Sequence, residues 1–374
     1  MSEKDISSAI EDVISKVEEL GSKMGESFRE FRESETVETF TEGVKKGAKT
    51  AADGVSKGAK LAAGGIAEGT REFSETIKST NAARKAEKAD RHEVRLSNGV
   101  RIPLVGYGSY LATERDGRRT IIDALNEGYR YIDTARFYKN EHEIGEAVEE
   151  SGIARDEIFL CSKVWPTMLG AEKTRESFEA TCESLRTDYL NMYLIHWPKV
   201  SQSDEEWVSK VRDTWAVMEE LYRAGRIKAI GLSNFLPHHI RPLLETAKVR
   251  PMVDQLELHV GYMQEYTLAY LKKAGIVAQA WSPIGRGVML QDDRIGRLAV
   301  KYGKSNAQIL LRYLVQRGIP VIPKASSPDR MRENLELFDF SLTEDEISYL
   351  SCISEAGWSG EHPDIAELEG TDGR

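Results

Sequence analysis

Seven apolar runs beyond residue 130 of this chain each close on a residue able to do chemistry. Those residues are Asp133, Lys163, His196, Ser233-Asn234, Gln255, Trp281-Ser282 and Lys324. A carboxylate, two amines, an imidazole, hydroxyls and amides are the groups that move protons, orient a polar ligand or hold an anion. Each also has a structural reading. His196 can be a satisfied core histidine, Asp133 and Lys163 a capping ion pair, and Trp281 rim packing. It is their conjunction that a purely structural account struggles to produce. Other chemistries lack their signatures: there is no His-Glu-x-x-His, cysteine cluster, Gly-x-Ser-x-Gly or Walker loop. His238 and His239 are adjacent and are not expected to face one ion, so no metal site is expected, and hydrolase and kinase readings are disfavoured.

The elements that must carry these groups follow from the pattern. The β-rich runs start at Leu104, Tyr131, Ile158, Asn191, Ala229, Met252, Ile276 and Pro320. Amphipathic stretches of helical period lie between them, among them Lys173 to Leu185, Val208 to Tyr222 and Ala307 to Gln316. Ahead of them, His92 to Pro103 alternates around Asn98-Gly99, which predicts a hairpin with a two-residue turn. Eight βα units in about 280 residues is the size of a (β/α)8 barrel, a TIM barrel, whose chemistry sits at the C-terminal strand ends. A doubly wound sheet would need a Gly-x-Gly-x-x-Gly turn after its first strand, and Gly106-Tyr107-Gly108 does not supply one.

From Val94 onward the motifs resemble those of the aldo-keto reductases. GYRYIDTARFYKNEHEIG contains Asp133 and Tyr138, FLCSKVW contains Lys163, and DYLNMYLIHWP contains His196. GLSNF contains Ser233 and Asn234, VDQLELH contains Gln255, and AWSPIGRG contains Trp281 and Ser282. IPKASSPDRMRENLELFDF contains Lys324, Ser326, Ser327, Arg330, Glu333 and Asn334. The AWSPIGRG form is most similar to the bacterial diketogluconate-reductase branch.

The resemblance implies NADPH-dependent reduction of an aldehyde or ketone to an alcohol. A phenol with pKa near 10 is a poor acid at neutral pH until a cation stabilises its phenolate. The implied catalytic set is therefore Tyr138 as proton donor, Lys163 as the cation, Asp133 as its partner and His196 as the group orienting the carbonyl. Ser233, Asn234 and Gln255 would bind the nicotinamide carboxamide, and Trp281, with Ser282, would stack on its ring. Lys324, Ser326, Ser327 and Arg330 would hold a 2′-phosphate, and Glu333 and Asn334 the adenine amino group. Tyr110, Trp165, Trp197 and Trp358 would form an apolar or aromatic substrate pocket. The sequence departs from the family where Ala325 replaces a usual serine, Trp281 a usual tyrosine, and Asp254 and Val260 a usual asparagine and proline.

The first 91 residues read differently from residues 92–374. All 11 prolines, 6 tryptophans and 14 tyrosines lie beyond residue 92. The start is too poor in large apolar groups to bury a core. Ile6, Ile10, Val13, Val17, Leu20 and Met24 nevertheless share one helical, coiled-coil-like seam. Glu42 to Ala52 and Asp53 to Ala63 are copies of one eleven-residue repeat. The repeat resembles those of late-embryogenesis-abundant proteins and synucleins. The extension is expected to gain helix on a membrane surface or through self-association, while the barrel is expected to be monomeric by itself. A nucleotide-sensing or scaffold protein with little turnover, localised by this extension, is the alternative function. The net charge of −10 opposes nucleic-acid binding. Three unpatterned cysteines, no long apolar span and no signal-like start point to the cytoplasm, with a peripheral membrane location open to the extension.

Overall fold

A computed structural model describes residues 92–112, 116–368 and 370; the repeat-bearing extension lies outside the described residues. It begins with the hairpin of β1 (Glu93–Arg95) and β2 (Arg101–Pro103), paired antiparallel with Val94 opposite Ile102. The turn holds three residues, not the expected two, because Leu96 N–H bonds the Val100 carbonyl at 2.8 Å. Gly99 takes a φ of +90°, the left-handed position such a turn needs.

Seven parallel strands follow in sequence order: β3 (Tyr107–Gly108), β4 (Tyr131–Asp133), β5 (Phe159–Val164), β6 (Met192–Ile195), β7 (Ile230–Ser233), β8 (Val253–Glu257) and β9 (Val277–Trp281). The eighth stave is the run from Pro320. Val321 bridges Ala280 on one side and Val105 on the other, so the sheet closes on itself. Pro320 and Pro323 have no N–H to donate, which limits that stave to a few bonds, among them Ala280 N–H to the Pro320 carbonyl and Gly106 N–H to the Val321 carbonyl, each 2.8 Å. At this seam a Cβ on Gly108 would lie 2.6 Å from the Ile322 carbonyl oxygen, so only glycine allows the approach. The architecture is the expected (β/α)8 barrel.

Crossover helices cover the strands: α1 (Gly117–Asn126), α2 (Glu141–Glu150), α3 (Ala171–Ser184), α4 (Trp207–Arg223), α5 (Pro237–Leu244), α6 (Glu265–Ala274), α7 (Asp293–Tyr302), α8 (Asn306–Gln316), α9 (Pro328–Leu335) and α10 (Glu344–Ser351). The three helices expected from periodicity are found within two residues of their limits. Ser305 starts α8 with a capping box in which Gln308 bonds back. Ile309, Leu310 and Leu314 of α8 are then fully buried, each contributing about 1.5–3 kcal/mol of apolar burial. Strand alternation sorts the layers. Tyr131 and Asp133 point into the barrel, whereas Ile132 between them faces the helices.

Candidate active site

Asp133 ends β4, and the chain then turns through a 3-10 turn, Arg136–Tyr138, closed by Lys139 at φ 55°. That turn places Tyr138 half-buried above the strand end. Asn140 anchors the loop: its amide donates to the Ser109 carbonyl at 2.9 Å and its oxygen accepts from Thr134 Oγ1 at 2.8 Å. Lys163, four residues into β5, is wholly buried and donates to Asp133 Oδ1 at 2.5 Å and to the Thr134 carbonyl at 2.9 Å. Its ammonium lies 5.2 Å from the centre of the Tyr138 ring. His196 follows β6, its ring 5.7 Å from that of Tyr138 and at 76° to it.

The electrostatics give each group one protonation state at neutral pH. Burial would strip the Lys163 proton, but the Asp133 carboxylate outweighs it and holds the lysine above its usual value. Burial pushes the Tyr138 phenol up to about 12, with the Lys163 charge working the other way. Burial, then the Lys163 charge, pushes His196 well below its usual value, leaving a neutral imidazole. The result is a protonated phenol beside a permanent cation and an uncharged ring able to donate one hydrogen bond. Such a set can deliver a proton to an oxygen that is gaining negative charge.

The other expected residues assemble along one side of the same mouth. Ser233 Oγ donates to the Gln255 carbonyl at 2.9 Å. Asn234, at φ 62°, donates to the His196 carbonyl at 3.0 Å and accepts from Trp281 Nε1 at 2.8 Å. Gln255 donates through Nε2 to Asp133 Oδ2, 2.8 Å away. Trp281 is half-buried, with the Arg286 guanidinium 5.8 Å from its ring centre, and Ser282 follows at φ 48°. Lys324, Ser326 and Arg330 are exposed, and Ser327 caps α9 without a side-chain bond, so two cations flank a helix start. Ala325, where the family usually has serine, is buried, and its carbonyl accepts from Tyr107 at 2.6 Å. Glu333 is exposed, whereas Asn334 is buried beside Tyr129.

The aromatic residues divide. Tyr110 lies 4.9 Å from Tyr138 between ring centres, and Trp165 meets His196 at 5.0 Å. Trp197 is buried next to His196 in sequence. Trp358 does not reach Tyr138 and instead stacks on Tyr262 at 6.0 Å. Tyr262 lines a cavity together with Asn234, Trp281, Glu257 and the tail residues Glu361, His362 and Pro363. The tail crosses the strand ends through bonds from Ser359 to Glu257 at 2.6 Å, Arg286 to Glu361 at 2.7 Å, and Leu368 N–H to the Val200 carbonyl at 2.7 Å. A larger groove beside Glu176, Cys182 and Arg226 opens at the other end of the barrel, near the start of β6, and holds none of these groups.

The structure departs from the expectation for the two adjacent histidines. His238 and His239 do face one point: their Nε2 atoms lie 3.1 and 3.0 Å from Asp364 Oδ1. Adjacent positions at the start of α5 set the two rings side by side, 4.0 Å apart. Leu236 N–H donates to His239 Nδ1 at 3.1 Å, so His239 Nε2 carries the proton, and the Lys199 ammonium lies 3.5 Å from the same carboxylate. Both features oppose a metal ion there.

Sequence reading passed over four residues of the site. Phe137 stacks on Trp165 at 3.8 Å, Asn140 anchors the tyrosine loop, and Tyr131 and Gln279 bond each other behind Asp133. Tyr131 stands two residues before Asp133 and Gln279 two before Trp281, so the alternation of a strand was the available signal for both.

Comparison with known proteins places this arrangement. The Aldo/keto reductase family pattern matches residues 107–355. Glyoxal reductase of Bacillus subtilis is 40% identical over 272 residues, which span 72% of this chain and 96% of that protein. The crystal structure of an aldo/keto reductase from Brucella melitensis superposes with a TM-score of 0.65 at 37% identity, covering 69% of this chain and 98% of that one. A Gox0644 variant solved in complex with NADPH has a TM-score of 0.68 at 33% identity, covering 73% and 98%. With a family match over more than half its length and relatives this similar, the chain belongs to the aldo/keto reductase family.

Proposed function

We propose that this chain is an oxidoreductase that uses NADP(H) to reduce an aldehyde or ketone to an alcohol, with Tyr138 as the proton donor. The observation that carries the reading is the Tyr138 ring 5.2 Å from the ammonium of a buried lysine that is hydrogen-bonded to Asp133. The residues around it fit the cofactor. Gln255 Oε1 has no hydrogen-bond partner among the described residues, and Trp281 offers a half-buried ring face. Lys324 and Arg330, without ion pairs among the described residues, suit a phosphate at the start of α9. Bound there, NADPH supplies the hydride.

The protein's own contribution is orientation and a proton. His196, neutral, donates from Nε2 to the carbonyl oxygen and fixes its approach. As charge grows on that oxygen, Tyr138 gives up its hydroxyl proton and Lys163 stabilises the phenolate left behind. Asp133 and the Thr134 carbonyl take two of the three Lys163 N–H groups, which aims the ammonium and leaves one donor for the phenol. Tyr110, Phe137 and Trp165 wall the mouth with rings. Small aromatic or apolar carbonyls are therefore the expected substrates.

The test follows NADPH absorbance with a panel of small aldehydes for the wild type and Tyr138→Phe. The wild type should oxidise NADPH, and the variant should lose about 10²–10⁴-fold in kcat. A wild type inert towards every aldehyde, or a variant that matches it, refutes the assignment.

A further inference from the structure

Behind the proposed catalytic set, four buried side chains from three strands close a ring of hydrogen bonds. Gln255 Nε2 donates to Asp133 Oδ2 at 2.8 Å and to Gln279 Oε1 at 2.8 Å. Gln279 Nε2 donates to the Tyr131 hydroxyl at 3.0 Å, and that hydroxyl stands 3.4 Å from Asp133 Oδ2. All four residues are 2% exposed or less. The proton directions can be made consistent around the ring: Gln279 to Tyr131, Tyr131 to Asp133 with Gln279 Oε1 as its other acceptor at 3.2 Å, Gln255 to Asp133, and Gln255 to Gln279. Turning the Gln255 amide over would set its oxygen against two acceptors, the Asp133 carboxylate and Gln279 Oε1. The ring therefore permits one orientation of Gln255, with both N–H groups directed into the barrel and Oε1 outward.

From this geometry we infer that Gln279, seconded by Tyr131, is a positioning residue that selects the cofactor through Gln255. The inference rests on the reading of Gln255 as a partner of the nicotinamide carboxamide. An outward Oε1 accepts a hydrogen bond and cannot donate one, so it recognises the N–H of a carboxamide and gains nothing from a group lacking it. Gln279 reaches no cofactor itself; it acts by adding to Asp133 a second acceptor that opposes the alternative pose of its neighbour. Asp133 Oδ2 belongs to the same ring and Oδ1 holds Lys163, so one carboxylate joins carboxamide recognition to the ammonium behind the proton donor.

The experiment measures equilibrium binding of NADP+ and of its 3-acetylpyridine analogue, in which a methyl group replaces the amide nitrogen. No turnover is needed. The full-length wild type should prefer NADP+ by about tenfold, roughly one hydrogen bond. Gln279→Leu should lower the ratio clearly, because Asp133 alone then opposes the turned pose of Gln255. Gln279→Glu should keep the preference, since a protonated glutamic acid offers the same acceptor to Gln255 and the same donor to Tyr131. Tyr131→Phe releases only the far side of Gln279 and should give an intermediate ratio, which keeps the test alive if Gln279→Leu does not fold. A folded Gln279→Leu with the wild-type ratio, or a wild type that binds both dinucleotides equally, overturns the inference while leaving the reductase reading intact. A wild type that binds neither overturns both.

Discussion

Replacing Lys163 by methionine keeps an unbranched side chain one atom shorter and deletes the charge, and two separable losses should follow. The first is catalytic. A unit charge 5.2 Å from the Tyr138 ring centre interacts with a phenolate by about 3 kcal/mol at an effective dielectric of about 20. That stabilisation exists only as the proton leaves, so its loss should lower kcat by on the order of 10²-fold. The second is structural. Asp133 would be left as an uncompensated buried carboxylate, at a cost of about 3–5 kcal/mol in stability. The double variant Asp133→Asn/Lys163→Met separates the two, because it removes the orphaned charge without restoring the cation. Urea denaturation should show the double variant more stable than the single one. NADPH-linked aldehyde reduction should show both variants well below wild type, with the double variant losing less because no anion then faces the phenolate. A folded Lys163→Met protein that keeps kcat within threefold of wild type refutes the electrostatic account of Tyr138.

Two further outcomes test other parts of the structure. Asp254 is wholly buried with Oδ2 unpartnered, and burial raises its carboxyl well above the usual range, opposed by a hydrogen bond from Phe235 N–H. The folded state thus keeps a proton that the unfolded chain releases, so stability is full below pH ~4 and falls as pH rises towards the raised value, by about 1.4 kcal/mol per unit. Asp254→Asn should flatten that slope in thermal or urea melts above pH 4, the raised Glu141 carboxyl supplying a remainder of the same sign, and an unchanged slope would refute the assignment to Asp254. At the other end of the cofactor site, Lys324→Met and Arg330→Met should each lower the preference for NADPH over NADH by about tenfold in kcat/KM. Equal preferences in variant and wild type would place the 2′-phosphate elsewhere.

The barrel and its mouth were legible in the sequence because both depend on short-range pattern. Alternating strands with amphipathic helices fixes the class of fold, and a polar residue closing an apolar strand marks the functional end. Asp133, Lys163, His196 and Trp281 stand within one residue of such strand ends, whereas Gln255 lies in the middle of β8. What lies sideways to the chain was not legible. The ring of Asp133, Gln255, Gln279 and Tyr131 joins residues up to 148 positions apart, at one height set by the stagger of the strands, and alternation specifies a face but not a height. The same holds for the tail that ties Asp364 to both adjacent histidines and Glu361 to Arg286. Composition and spacing thus determined which groups this protein carries to its mouth. Only closure of the sheet decided which way Gln255 faces, since hydrogen-bond direction depends on partners that three separate strands bring together.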